Sequence, residues 1–255
     1  MTTDAQTEPE SMSLWETIKA EIPFLLMIVA AIFVFRGLIY NMNYIPSESM
    51  QPTLEVGDRI LVNKFAYGYS GHSILFSVVP TLPGKYGRLF GSLPARGDVV
   101  TFKHPRSGTI YIKRVVGLPG DKIEYRSGKL YINDKLKPRE KIDDVTYRQH
   151  KSGIRKAVQY REHITEDKAI EIFEFSDFAN LDDAGPFIVP ADNVFVLGDN
   201  RDNSADSRDP TIKGVGFLPV ERILGRTERV IYSTYRCKKE KDLRCAKRSF
   251  FMPVK

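Results

Sequence analysis

Tyr111-Ile112-Lys113-Arg114-Val115-Val116-Gly117 reads as a β-strand with two cations set into an apolar run. Tyr111, Lys113 and Val115 share one face, and Ile112, Arg114 and Val116 share the other. Each face is therefore largely apolar and carries one basic side chain. Short alternating or β-branched segments recur on both sides, at 59–63, 98–103, 109–116, 122–126, 129–133, 186–189, 193–197 and 222–232. Turn signals separate them: Gly57-Asp58, Arg96-Gly97-Asp98, Pro119-Gly120-Asp121, Ser127-Gly128 and Gly198-Asp199-Asn200. The stretch 123–132 reads as a hairpin closed by a tight turn. Beyond residue 45 no long 3.6-residue period appears. The pattern predicts a mostly β chain, in a barrel or twisted sheets.

The 255 residues suffice for one good-sized domain or one domain carrying a large insertion. Strand signals divide between 45–133 and 185–235, which are expected to form the core. Residues 134–184 are charged and poor in β-branched runs, as an inserted second domain decorating that core would be. The net charge of +6 is uneven. The basic C-terminal tail, 236–255, carries eight Lys/Arg against Glu240 and Asp242, while residues 1–21 carry five acids and only Lys19. Such a tail either attracts anionic partners such as lipid headgroups or is a solvated end. No aromatic interleaves its basic cluster, which argues against a single-strand platform, and no nucleic-acid partner is expected. Cys237 and Cys245 lie in the same tail, either closing a small loop in an oxidising compartment or standing as two thiols. His72, His104, His150 and His163 are scattered, and neither a metal nor a cofactor is expected.

Residues 22–35 contain no charge, and the apolar character continues to Tyr40 if Arg36 is included. Fourteen helical residues reach about 21 Å and nineteen about 28 Å, against a hydrocarbon core of about 30 Å. The span is therefore placed at 22–40, with Arg36 snorkelling to the interface and Trp15, Tyr40 and Tyr44 as interfacial anchors. A cleavable signal peptide would need a basic leader and a small-x-small site, and neither is present. A buried helix of a soluble protein is the other alternative. The expected arrangement is an N-terminal segment 1–21, a signal anchor, and the folded region beyond it. Lys19 on one side faces Arg36 on the other, so charge does not set the orientation.

The segment Pro46-Ser47-Glu48-Ser49-Met50-Gln51-Pro52-Thr53-Leu54 leaves the anchor stiffened by two prolines, either as a linker or as a rigid turn presenting a nucleophilic hydroxyl. In the second case a backbone N–H and the Ser47 hydroxyl would stabilise an oxyanion. Lys113 supplies the missing base, because a buried lysine gives up its proton where arginine does not. A lysine neutral near pH 8 takes a proton from a serine hydroxyl; the alternative is a pair of cations snorkelling from an edge strand. Gly198-Asp199-Asn200-Arg201-Asp202-Asn203-Ser204-Ala205-Asp206-Ser207-Arg208-Asp209-Pro210 reads as a calcium loop or as a hydrogen-bonded loop orienting Lys113 through a hydroxyl such as Ser204. No Gly-x-Ser-x-Gly, Ser-x-x-Lys, His-Glu-x-x-His or Walker A signature occurs, and no histidine sits in a triad motif.

Taken in this order behind one anchor, these motifs resemble the bacterial type I signal peptidase (leader peptidase) family of Ser/Lys-dyad serine endopeptidases. The resemblance covers 46–54, Gly57-Asp58, Arg96-Gly97-Asp98-Val99-Val100, 111–121 and 198–208, and hardly touches 126–189. It implies a β catalytic core with an inserted second domain, and removal of signal peptides from translocated preproteins at the outer face of the bacterial cytoplasmic membrane. Its residue roles fall on Ser49 as nucleophile, Lys113 as general base, and Ser47 with the Ser49 N–H as oxyanion hole. Ser204 would orient Lys113, with Asp206 and Arg208 structural. The implied partners are preproteins and the lipid bilayer. Glu48 departs from the glycine of many members, the single anchor from the two of some relatives, and the cysteine pair carries no family disulfide over.

Two alternatives stand beside this expectation. One is a Ser/Lys protease with another substrate, such as a pilin-processing peptidase or a relative of the self-cleaving repressors, although no DNA-binding segment is evident. The other is a catalytically silent membrane-anchored β module, which loss of Ser49 or Lys113 would have favoured.

Overall fold

In the computed structural model the apolar run begins as a helix and ends as a strand; the structure describes residues 14–73, 82–149, 153–176, 179–235 and 243–254. Helix α1 covers Leu14–Val34, and a π-helical turn, Phe35–Ile39, passes directly into strand β1, Tyr40–Tyr44. The 26 residues Leu14–Ile39 are long and apolar enough to cross a membrane. The helix thus starts eight residues before the uncharged run. Hydropathy marks the apolar part only, whereas a charged first turn remains helical, with Lys19 Nζ 5.4 Å from the Trp15 ring centre four residues away. At the other end Lys64 ties the turn down: its N–H donates to Ile39 O at 2.9 Å and its Nζ to Gly37 O at 2.5 Å.

The remaining strands are β2 (Asp58–Asn63), β3 (Tyr69–Ser70), β4 (Arg88–Leu89), β5 (Val99–Lys103), β6 (Ile110–Gly117), β7 (Lys122–Arg126), β8 (Lys129–Ile132) and β9 (Lys135–Leu136). They continue with β10 (Arg139–Gln149), β11 (Gly153–His163), β12 (Ala169–Glu174), β13 (Ala184–Ile188), β14 (Asn193–Leu197), β15 (Leu218–Pro219), β16 (Ile223–Ser233) and β17 (Met252–Pro253). The main sheet runs β1-β2-β16-β5-β6-β14-β15, with β17 added on β16. A second sheet, β13-β7-β8-β9, contains the expected hairpin. Its turn residues Ser127 and Gly128 both take positive φ, 47° and 70°, as a two-residue hairpin loop matched to strand twist requires. The mostly β expectation holds.

Apolar faces of these sheets meet in several clusters. Val100, Phe102, Val115, Val194, Val196 and Ile223 fill one, and Ile123, Tyr125, Leu130, Ile172, Phe195 and Leu197 another. A third, Ile45, Met50, Leu54, Ile60, Val62, Val99 and Val230, underlies the chain segment leaving β1. Each such aliphatic side chain contributes roughly 1.5–3 kcal/mol on burial, so this segment is anchored rather than a loose linker.

Two regions differ from the sequence expectation. Within 134–184, where no strand was anticipated, β10, β11 and β12 form a three-stranded antiparallel sheet. Its apolar burial is carried by Val145, Tyr147, Ala157, Ile170, Ile172 and Phe173, while most of its exposed positions are charged, so the composition resembles that of a loop. The C-terminal tail is not a solvated end over its described part. Arg248 pairs with buried Asp58 at 3.2 Å and Arg244 with buried Glu55 at 3.2 Å, so opposite charges draw it onto the core. Cys245 is disulfide-bonded; Cys237 lies outside the described residues.

Candidate active site

Two loops and one strand converge on Ser49. The first loop, 47–53, is closed by Gln51 N–H donating to Glu48 O (3.0 Å) and Leu54 N–H to Met50 O (2.9 Å), with Met50 and Leu54 buried beneath. The second, 198–208, crosses it: the Asn200 N–H donates to Ser49 O at 3.1 Å and Asn200 Nδ2 to Glu48 O at 3.2 Å. Gly198 makes the approach possible. A β-carbon there would stand 2.5 Å from Ser49 O and 2.2 Å from Ser204 Oγ, so any side chain would push the loops apart.

The strand is β6, held between β5 and β14, which carries Lys113 to the same point. Lys113 is 3% exposed, and its Nζ lies 2.6 Å from Ser49 Oγ and donates to Ile112 O at 3.0 Å. Burial pushes its amine down from 10.5 to about 8, against the opposing charges of Asp206 and Asp199, a drop that disfavours the ammonium by about 3 kcal/mol. Neither carboxylate pairs with it. Asp199 accepts from Arg114 Nε at 2.8 Å and Nη2 at 2.7 Å, and Asp206 accepts from Arg208 Nε at 3.1 Å and Nη2 at 3.0 Å. Burial would lift the Asp206 carboxyl, yet Arg208 together with the Gly198 and Arg208 N–H groups holds it below the ordinary carboxylate range. Lys113 is thus a buried amine with no ion-pair partner among the described residues, poised to be neutral at mildly alkaline pH.

Ser47 Oγ stands 3.5 Å from Ser49 Oγ. Among the described residues nothing engages the Ser49 N–H, which leaves it a donor for an oxyanion. A cleft of about 690 Å³ opens over the pair, walled by Tyr44 at the end of β1 and Ile45 just after it, and by Ile110 and Ile112 of β6. A chain threaded there would present a carbonyl to the serine with the base already hydrogen-bonded to the nucleophile, an arrangement suited to acyl transfer.

Of the residues singled out from sequence, Ser47, Ser49 and Lys113 come together, and Asp206 and Arg208 form a fully buried pair behind them. Ser204 departs from expectation. Its Oγ is buried with no hydrogen-bond partner, so in this arrangement Lys113 is oriented by Ile112 O and Ser49 instead. The calcium alternative for 198–210 finds no support in side-chain direction. Asp199 and Asp206 turn to separate arginines, and Asp202 Oδ2 accepts from the Phe175 and Ser176 N–H groups. Among the described residues no group of three His, Cys, Asp or Glu is placed to hold a metal ion.

Several positioning groups escaped the sequence. Asn200 and Gly198 lay inside a recognised motif without an assigned role. Arg201 joins the loop to the inserted sheet, pairing with buried Glu162 through Nη1 at 3.0 Å and bonding Tyr125. Tyr147, from β10, accepts from Asn200 Nδ2 at 3.3 Å. Their contacts cross tens of residues of chain, and no local pattern announces them.

Known proteins resemble this chain over most of its length. The family described as signal peptidase, peptidase S26, matches residues 15–232. The chain is 34% identical to the signal peptidase I of Rickettsia typhi over 86% of this chain and 82% of that one. It is 35% identical to that of Rickettsia bellii over 90% and 78%, respectively. A crystal structure of a signal peptidase I from Enterococcus faecalis aligns at 25% identity over 53% of this chain and 97% of its own, with a TM-score of 0.29.

Proposed function

This chain belongs to the signal peptidase, peptidase S26 family, and from that premise we propose that it is a membrane-anchored serine endopeptidase that removes signal peptides from preproteins, with Ser49 as nucleophile and neutral Lys113 as its base. The carrying observation is the 2.6 Å contact between Ser49 Oγ and a buried lysine that has no carboxylate partner among the described residues.

Lys113 Nζ takes the Ser49 hydroxyl proton as Oγ bonds to the scissile carbonyl carbon. The resulting oxyanion accepts from the Ser49 N–H and the Ser47 hydroxyl. The ammonium, held by Ile112 O and, once the Ser204 hydroxyl turns toward it, by Ser204 Oγ as well, returns the proton to the leaving nitrogen as the C–N bond breaks. The mature chain's new amine departs and the signal peptide stays as an ester on Ser49. Water, deprotonated by Lys113, then attacks that ester, releasing a carboxylate and restoring the serine. Asp206 and Arg208 hold the second loop in place, and no cofactor enters these steps.

Helix α1 spans the bacterial cytoplasmic membrane once, with the β core on its extracytoplasmic face. A substrate whose apolar segment remains in the bilayer presents its cleavage site near that level, and the bonds from Lys64 to the helix end keep the cleft from wandering far from it.

The test is incubation of the detergent-solubilised chain with a preprotein bearing a small-x-small site. Wild type should process it and Ser49→Ala should not, with the melting temperature unchanged; processing by Ser49→Ala at the wild-type rate would refute the assignment.

A further inference from the structure

The loop that presents Ser49 rests on two buried carboxylates. Glu55 is 1% exposed and Asp58 is fully buried, and they are joined through the Glu55 N–H, which donates to Asp58 Oδ2 at 2.9 Å. The second oxygen of Glu55, Oε2, accepts from Gln51 Nε2, and Gln51 in turn donates its N–H to Glu48 O at 3.0 Å, across Ser49. Glu55 is thus the post on which the nucleophile turn is hung. A buried carboxylate needs a cation, and among the described residues the ion pairs to these two come only from the C-terminal segment. Arg244 Nη1 reaches Glu55 Oε1 at 3.2 Å, and Arg248 Nη2 reaches Asp58 Oδ2 at 3.2 Å and Thr53 O at 3.4 Å.

Arg244 touches more than its carboxylate. Its N–H donates to Thr146 O at 2.7 Å, and its guanidinium carbon lies 5.0 Å from the centre of the Phe173 ring. Tyr147, next after Thr146, accepts from the same Asn200 Nδ2 that grips Glu48 O. The Phe173 N–H donates to Asp199 O at 2.9 Å, one residue before the Asn200 that grips Ser49 O. Three segments converging on Ser49 therefore meet at one arginine: the nucleophile loop, the inserted sheet and the 198–208 loop.

We infer that Arg244 is a positioning residue for peptide-bond cleavage: by compensating Glu55 it fixes Gln51 and the turn that sets Ser49 against Lys113. The inference rests on Ser49 being the nucleophile. Its physical content is electrostatic. Burial pushes the Glu55 carboxyl upward, opposed by the Gln51 hydrogen bond and then by Arg244 and Arg248. Without Arg244 the carboxylate either takes a proton or swings toward water, and in both cases its bond to Gln51 is weakened or lost. An uncharged amide at position 55 keeps an acceptor for Gln51 and does not need the arginine.

The full-length chain in detergent tests this with four proteins: wild type, Arg244→Gln, Glu55→Gln and the double variant, compared by kcat, KM and melting temperature. Arg244→Gln should lower kcat by about tenfold to a hundredfold, the scale of a small misplacement of reacting groups, with KM near the wild-type value. Adding Glu55→Gln should restore most of the lost kcat, because the two effects are coupled through one ion pair. If the tail only adds stability, the losses multiply and the double variant is the worst of the four, which overturns the inference, as does wild-type kcat in Arg244→Gln. Should Arg244→Gln fail to fold, Arg244→Lys keeps the charge without the fork and is judged against Glu55→Gln/Arg244→Lys by the same criterion. A wild-type chain that leaves the preprotein uncut refutes the peptidase assignment itself, whereas active wild type with indifferent Arg244 variants removes only the role of Arg244.

Discussion

Lys113 and Arg114 are neighbours on one strand, both essentially buried, and they meet opposite electrostatic fates. Arg114 faces Asp199 and is gripped by it through two hydrogen bonds, with a third to Gly97 O at 2.8 Å. Lys113 faces Ser49 and a backbone carbonyl, and among the described residues no carboxylate pairs with it. Strand alternation alone sends them to different sides. The pairing on one side locks a charge into place, and its absence on the other leaves an amine that can shed its proton. The same contrast separates the whole supporting frame from the reacting pair. Arg201 with Glu162 and Arg208 with Asp206 are fully buried ion pairs, while the buried amine that touches the serine pairs with no carboxylate among the described residues. On this strand the arginine is compensated by a carboxylate and the lysine beside it is left short of compensation.

The contrast breaks most visibly at Lys113 itself. Lys113→Met should lower kcat/KM by about 10²–10⁴-fold, the range of a lost general base, while the melting temperature holds or rises because a costly buried amine has gone. Lys113→Arg should be equally inactive, since a guanidinium keeps its proton. Near-normal processing by either protein would dissolve the distinction between the two neighbours.

Removing the partner on the other face should act on the fold. Asp199→Ala strands the Arg114 guanidinium, which is 0% exposed in the paired state, and should cost about 3–5 kcal/mol in thermal or denaturant unfolding. A loss below about 1 kcal/mol, the level of an exposed pair, would show that the site is wetter than its burial indicates.

The gentlest probe is pH. Activity requires the neutral amine, so kcat/KM should rise with pH through a limb near 8 and fall about tenfold per unit below it. The sign follows from the direction of the shift: burial lowers the lysine, so protonation on the acid side switches the base off. A limb near 10.5, the ordinary lysine value, would place Lys113 in water and undo the comparison.

The strands of the core were legible because their signal is local. The predicted segments 122–126 and 193–197 coincide with β7 and β14, and the others shift by only a residue or two, since alternation and turn residues carry their own information. The sheet at 139–174 was not, because most of its exposed positions are charged and its burial comes from contacts between distant segments, such as Phe173 with Val145 and Tyr147 and Glu162 with Arg201, which sequence alone does not place. The tail misled for a related reason. Its charge was plain, but the buried Glu55 and Asp58 that attract it lie about 190 residues earlier in the chain.

What the sequence determined by itself was chemistry: a serine in a proline-bounded turn, a lysine in an apolar strand, and an apolar span ahead of both. Those depend on residue type and short spacing, which are fixed by covalent connection. Only the tertiary structure decided that Nζ and Oγ stand 2.6 Å apart, that Gly198 admits the second loop, that Ser204 does not bond the amine, and that Arg244 sits under the nucleophile turn. Protonation, reach and alignment are set by burial and by which charges meet across long stretches of chain, and burial exists only once the chain has folded.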